Sequence, residues 1–366
     1  MSDRNRQPAP EENVEAQVAR AAERLRAGGL VAFPTETVYG LGALALSEAA
    51  VQRVFRVKGR PSHNPLIVHV SGESMARGLA RDWPSEASRL ARVMWPGPLT
   101  IVVPRADVVP VLVTAGGPNV ALRCPDHPLT LALLYVLNQP LVGPSANKSG
   151  NVSPTSAAHV RDEFGPFDGT DPDSVMVLET RERLRVGVES TVVSLVEFCD
   201  AGRASAGREP RALVLRRGMV TPGEIASALG IDGSRVEVLD GAGADPSKPL
   251  DSPGRLSRHY APRTPVALLT RDALMSRLAR EKSPVVVLGA SLEVLECAGP
   301  HRVISMPIDP DEYGAALYSA LREADRQSAS AILVEWPVVH AEDLTATQQA
   351  KWSAIGDRLS RASTPA

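Results

Sequence analysis

The chain is poor in aromatic residues, poor in cysteine and without an excess of either charge, and each shortage excludes something. Aromatics make up 4 % of its 366 residues, so its cores must rest on Val, Leu and Ala among the 43 % that are hydrophobic. That share excludes fibrous, collagen-like and wholly disordered classes. Cys124, Cys199 and Cys297 stand far apart with no C-x-x-C pair, which argues against a disulfide framework or zinc ribbon and favours a reducing cytoplasm. Basic residues number 40 against 42 acidic, a formal charge of −2. A protein held to nucleic acid by phosphate neutralisation carries a basic excess, so stable nucleic-acid binding is not expected. No run approaches the roughly 20 apolar residues that cross a bilayer, and no membrane association is expected. The common nucleotide fingerprints are missing too. There is no G-x-x-x-x-G-K-S/T, and Gly40-Leu41-Gly42 lacks the third glycine of a dinucleotide loop.

What is present alternates between helix and strand patterns. Residues 1–13 are polar and Pro-containing and are expected to be a disordered tail. Residues 14–27 place Val14, Val18, Ala21, Ala22 and Leu25 at helical spacing before Gly28-Gly29. Leu30 to Phe33 is a short apolar strand ended by Pro34, Ser47 caps a helix to Val57, and Ser85 caps another that stops at Pro96. Strands are expected at 66–70, 99–103, 120–122, 141–142, 175–178, 191–196 and 212–215, with helices at 128–138 and 155–164. Thr221-Pro222 starts a further helix. The mixture predicts a mixed α/β sheet over 14–240. Residues 241–264 then turn rich in Gly, Pro, Ser and basic side chains, a linker long enough to call for a function or for disorder. Strands at 266–269, 285–288, 303–306 and 332–336, separated by helices at 271–280, 311–326 and 347–361, predict a small Rossmann-like α/β domain over 265–366.

Polar groups collect where strands end, the place open α/β sheets use for ligands. Pro34 to Gly42 (PTETVYGLG) follows the first strand; it is either a ligand loop or a polar turn around a packed tyrosine. Lys58-Gly59-Arg60 offers a point charge and a bidentate fork to phosphate oxygens, or is a solvated basic loop. His69 lies inside an apolar strand, where a satisfied core histidine is the commoner role. Gly143 to Gly150 (GPSANKSG), with Ser153-Pro154-Thr155, is an anion nest or a helix-capping turn. Arg123, Glu189-Ser190-Thr191 and Arg216-Arg217-Gly218 mark three more strand ends.

In order along the chain, PTETVYGLG, KGRP-x-x-NPLIVHV, WPGPLT, ALRCPDHP, GPSANKSG-x-x-SPT, VESTVV, LRRG and SPGRLSRHYAP resemble the motif string of the L-threonylcarbamoyladenylate synthases. The resemblance is to their long form, dense over 14–262 and by pattern alone beyond. It implies a YrdC-like twisted mixed sheet with flanking helices, a linker strap over the active site at 241–264, and a Rossmann-like C-terminal domain. It implies the reaction of L-threonine, bicarbonate or CO2, and ATP to L-threonylcarbamoyl-AMP and pyrophosphate. The product would pass to a tRNA threonylcarbamoyl transferase that modifies position 37 of tRNAs reading A-starting codons. Matched residue by residue, Lys58, Arg60, Asn64, Asn119, Ser145, Asn147, Ser153, Arg216 and Tyr260 would hold ATP, with Lys58 and Arg60 catalytic. Thr37, His69, Arg123, Gly143 and Ser190 would hold threonine. Asn119 replaces a threonine-like residue, and Gly143 a larger small one. Mg2+ is expected to ride on the ATP phosphates, with no metal ligands from the protein. A carbamoyltransferase of the hydrogenase-maturation type shares such a domain but would carry paired C-x-x-C motifs and a much longer chain.

Overall fold

The computed structural model describes residues 13–199, 209–239, 260–336 and 344–363. The expected N-terminal tail, apart from Asn13, and residues 241–259 of the expected strap lie outside them. The first unit runs α1 (Val14–Arg26), β1 (Leu30–Phe33), β2 (Gly40–Leu44), α2 (Glu48–Lys58), β3 (Ile67–His69), α3 (Glu73–Arg77), α4 (Ser85–Met94), β4 (Leu99–Pro104) and β5 (Asn119–Arg123). It continues through α5 (Pro128–Leu137), β6 (Leu141–Val142), α6 (Ala157–Phe164), β7 (Val175–Val177), β8 (Thr191–Ser194), α7 (Val196–Cys199), β9 (Ala212–Arg216), α8 (Pro222–Leu229) and β10 (Val236–Val238). The second unit is β11 (Val266–Leu269), α9 (Arg271–Leu278), β12 (Val286–Gly289), α10 (Leu292–Cys297), β13 (Arg302–Ser305), α11 (Pro310–Asp325), β14 (Ile332–Glu335) and α12 (Ala346–Ala362).

Ten strands form one mixed sheet in the order β10-β9-β8-β4-β5-β3-β6-β2-β1-β7. Helix α1 turns Val18, Ala21, Ala22 and Leu25 onto Leu129, Leu133 and Leu137 of α5 and onto β1. That stripe at three- and four-residue spacing buries one helix face. Ser47 caps α2 as expected, Gly59 ends it in the left-handed conformation at φ 62°, and Thr221 with Glu224 builds a capping box for α8.

Several local expectations change. Strand β2 was legible only as a loop, because glycine has low strand propensity. It pairs with β1 through Val31↔Gly42 and Phe33↔Gly40. A Cβ at Gly40 would lie 2.8 Å from the Phe33 ring, and one at Gly42 2.8 Å from the Val31 carbonyl, so close approach is what the glycines serve. Pro84 rather than Ser85 occupies the N-cap of α4. Ser156 caps α6, and the strand expected over 191–196 stops at Ser194 and turns helical.

The second sheet is wholly parallel, in the order β11-β14-β12-β13. Leu274 and Leu278 of α9 pack with Val294 of α10 on one face, and α11 and α12 cover the other. This is the Rossmann-like arrangement expected from the pattern. Its α11 lies directly on the first unit: Thr155 Oγ1 and Ser319 Oγ are 2.8 Å apart, and Arg322 pairs with Glu163 at 2.8 Å.

Gly187, at φ 72°, touches α11 so closely that a Cβ would fall 2.3 Å from the Gly314 carbonyl and 2.4 Å from Ala315 Cα. Backbone cannot swing aside as a flexible side chain does. Gly187→Ala is therefore expected to cost about 1–3 kcal/mol and to lower the melting temperature by several degrees in thermal unfolding. An unchanged melt would show that the two units are not pressed together there.

Candidate functional site

The strand ends converge on one pocket. The parallel pairing of β3 with β5 sets His69 beside Arg123. Gly143 follows β6, the antiparallel neighbour of β3, and its N–H donates to the Ile67 carbonyl at 3.0 Å. Thr37 comes from the turn after β1, Ser190 precedes β8, and Arg216 ends β9. The turn after Arg216 crosses the start of β8 closely: a Cβ on Gly218 would lie 2.4 Å from Thr191 N. Thr37, Arg60, His69, Arg123, Gly143, Ser145, Arg216 and Tyr260 all line the pocket, as does Glu189.

Arg123 is 4 % exposed and is aimed by its neighbours. Its Nη2 lies 2.9 Å from Glu36 Oε2 and 2.9 Å from Thr37 Oγ1, and its Nε donates to the Gly97 carbonyl at 3.3 Å. Glu36 also accepts the Asp126 N–H at 3.0 Å. The Nη1 edge of Arg123 is uncommitted among the described residues, and such an edge suits a carboxylate. His69 stands edge-on to Phe33, with ring centroids 5.2 Å apart. Burial, reinforced by Arg123, holds its pKa well below the usual histidine value, so the imidazole is neutral at pH 7.

Also in the pocket wall, Arg60 is fixed by its own loop. Its Nη2 donates to Asn64 Oδ1 and to the Pro65 carbonyl, both at 2.7 Å. Burial pushes its pKa down to about 9, still above neutrality, so it keeps its charge. Arg216 donates from Nε and Nη2 to the Ser190 carbonyl at 3.0 and 2.9 Å, and Ser190 Oγ lies 2.7 Å from Thr100 Oγ1. Tyr260, the first described residue of the expected strap, is 1 % exposed and holds a left-handed φ of 63°. A non-glycine residue in that region is strained, and such strain concentrates at functional sites.

Six expected residues do not line the pocket. Asn64, Ser153 and Ser190 stand one layer behind, bonded to Arg60, Glu189 and Arg216. Lys58 differs more. Its ammonium is buried and donates to the Ser145 and Asn147 carbonyls, bracing the 145–147 loop from behind. Burial, then Arg60, lowers its pKa well below the lysine value. Asn147 spends its amide on the Lys148 and Asn151 carbonyls, at 2.7 and 2.9 Å, while its Oδ1 has no partner among the described residues. Asn119 starts β5, so it sits a strand length from Arg123; continuing the β3–β5 register sets it level with Pro65.

The residues that sequence reasoning left without a role are Glu36, Glu189, Tyr318 and Arg358. Glu36 and Glu189 stood inside quoted motifs. Tyr318 and Arg358 lie on amphipathic helices of the second unit, where nothing marks them apart from surface residues. Burial opposes ionisation of Glu189, but Arg358, Arg216 and Ser153 outweigh it and keep its carboxyl below the usual range.

Two family models match the chain. One, described as telomere recombination and covering the Sua5, YciO and YrdC proteins, spans residues 23–205; the other, the threonylcarbamoyl-AMP synthase C-terminal domain, spans 220–364. The chain is 38 % identical over 331 residues to the threonylcarbamoyl-AMP synthase of Pyrococcus abyssi, covering 88 % of this chain and 89 % of that one. Against the Bacillus subtilis threonylcarbamoyl-AMP synthase the identity is 36 % over 326 residues, 87 % of each. A crystal structure of Pyrococcus abyssi Sua5 complexed with L-threonine superposes with a TM-score of 0.77 at 33 % identity, covering 96 % of this chain and 95 % of that one.

The buried histidine generates a pH prediction. His69 binds a proton in the unfolded chain near pH 6.5 but not in the folded one until well below, so its contribution to stability is full above that pH and is lost as pH falls. Unfolding in denaturant is expected to become easier below pH 6.5, and His69→Gln to flatten part of that slope. An identical slope in the variant would show that the imidazole is not held neutral.

Proposed function

The chain belongs to the threonylcarbamoyl-AMP synthase family, and we propose that its pocket joins L-threonine, bicarbonate or CO2, and ATP into threonylcarbamoyl-AMP with release of pyrophosphate. The observation that carries this is the placement of an aimed guanidinium, Arg123, in the same pocket as Arg60 and Arg216. One end suits an amino-acid carboxylate and the other a polyphosphate.

Joining two anions calls chiefly for positioning and countercharge. The threonine amine, once it has given up a proton, attacks CO2 carbon, and a second N–H proton leaves to solvent as the carbamate forms. A carbamate oxygen then attacks the α-phosphorus of ATP, and the bond to pyrophosphate breaks. Arg123 takes the threonine carboxylate. Thr37 and neutral His69 bond its amine and hydroxyl, Gly143 leaves room beside them, and Ser190 stands behind, bonded to Arg216. Arg60, held by Asn64, and Arg216 meet the phosphates beside Ser145, while Ser153 stands behind on Glu189. Lys58 and Asn147 shape the loop that presents Ser145. Asn119, level with Pro65, belongs to the nucleoside end. Tyr260 covers the site and shields a mixed anhydride that water would destroy.

Mg2+ comes with ATP, which supplies its oxygens, and lowers the charge that the arginines must meet. Among the described residues, no cluster of three or more His, Cys, Asp or Glu side chains is placed to hold a metal ion. No helix among them is long and apolar enough to cross a membrane. The product is passed in the cytoplasm to a transferase that modifies position 37 of tRNAs reading A-starting codons.

Pyrophosphate release from Mg-ATP is expected to need both threonine and bicarbonate, and Arg60→Ala to lower it by roughly 10²–10³-fold. Release indifferent to threonine would overturn the substrate assignment. A Cβ at Gly143 would lie 2.6 Å from both His69 Nδ1 and the Phe33 ring. Gly143→Ala is therefore expected to raise KM for threonine by about tenfold or more, with KM for ATP less affected. Equal shifts in both constants would place threonine elsewhere.

A further inference from the structure

Glu189 is a carboxylate in the wall of a pocket that otherwise collects anions. It shares that wall with Arg60 and Arg216, and left bare it would repel the phosphates they attract. Three donors from outside the pocket hold it. Ser153 Oγ donates to Oε1 at 2.8 Å, Tyr318 Oη to Oε2 at 2.9 Å, and Arg358 Nε to Oε2 at 3.0 Å. The last two come from α11 and α12 of the second unit.

Arg358 does more than pair. It is 1 % exposed, its guanidinium lies 5.7 Å from the centre of the Tyr260 ring, and Tyr318 stacks on that same ring at 5.5 Å. Its Nη2 donates to the Arg217 carbonyl at 2.7 Å, next to Arg216. Its Nη1 meets Asp357 at 2.8 Å. One side chain thus touches the pocket carboxylate, the covering tyrosine and the backbone that carries a phosphate-side arginine. Simple docking of the two units is already served by Arg322 with Glu163 and Arg326 with Asp162, which line no part of this pocket.

We infer that Arg358 is a positioning residue for ATP: through it the second unit neutralises Glu189 and sets Tyr260 against the nucleotide. The inference rests on the synthase reading, because it takes the Arg60–Arg216 end of the pocket as the nucleotide end. Arg358 touches no substrate. It acts by removing a repulsive charge and fixing a ring, so its loss falls on ATP rather than on threonine.

The test is steady-state kinetics of pyrophosphate release by the full chain, varying ATP and threonine separately. Arg358→Met is expected to raise KM for ATP by about tenfold or more while KM for threonine moves less than about twofold. Arg358→Lys keeps the charge and is expected to stay within about threefold of the parent enzyme, and adding Glu189→Gln to Arg358→Met to recover most of the lost ATP affinity. An unchanged KM for ATP in Arg358→Met, or a loss that Glu189→Gln does not reduce, would overturn the charge role. Should Arg358→Met fail to fold, the lysine and double variants decide it: weakened ATP binding in both would also overturn the inference. Titration with a non-hydrolysable ATP analogue separates the two readings. If the parent enzyme binds the analogue but releases no threonine-dependent pyrophosphate, the synthase reading fails, and the analogue affinities of the same variants still decide the role of Arg358.

Discussion

A carboxylate buried where two units pack must be neutralised, and Glu189 is that carboxylate. Burying an unpaired ion costs several kcal/mol even after relaxation. Ser153 answers from the first unit, and Tyr318 and Arg358 answer from the second. Moving the units apart would strand the charge, which ties the second unit to a particular pose on the first. Gly187 against the backbone of α11 reports the same closeness sterically. The pocket is therefore lined by the first unit and Tyr260 and braced from behind by the second.

The arrangement also explains how a chain of net charge −2 gathers cations at one pocket. Its cations are distributed by topology rather than by composition. Arg123 and Arg216 end strands of the ten-stranded sheet, and Arg60 follows the helix before β3. Each has its direction set by carbonyls or by a carboxylate, so little ordering remains for the moment of binding. The same strand ends place a neutral imidazole, His69, where a charged one would compete with Arg123.

Much of this was legible in the chain. Caps at Ser47 and Thr221, the glycine stop at Gly59 and apolar runs such as Leu99 to Pro104 are local signals, and they marked most elements within a residue or two. The motif string marked eight of the residues that line the pocket, but also six that stand outside its lining, and it gave Glu189 no role. Strand β2 was hidden because its glycines carry no strand signal and answer instead to Phe33 and Val31, whose proximity no local pattern reveals. Lys58 carried a clear chemical expectation, yet its ammonium turned to the carbonyls of Ser145 and Asn147. Charge type is written in the residue; direction is not.

The sequence by itself determined the fold class, the two α/β units, the family resemblance and the kinds of side chain gathered at strand ends. These follow from periodicity, capping and motif order, all short-range properties of a chain. Only the tertiary structure decided that Glu36 aims Arg123, that Lys58 braces a loop, and that Tyr318 and Arg358 reach Glu189 from more than a hundred residues away. Those contacts form when separate elements pack, and a buried charge finds its counter-ion in space rather than along the chain.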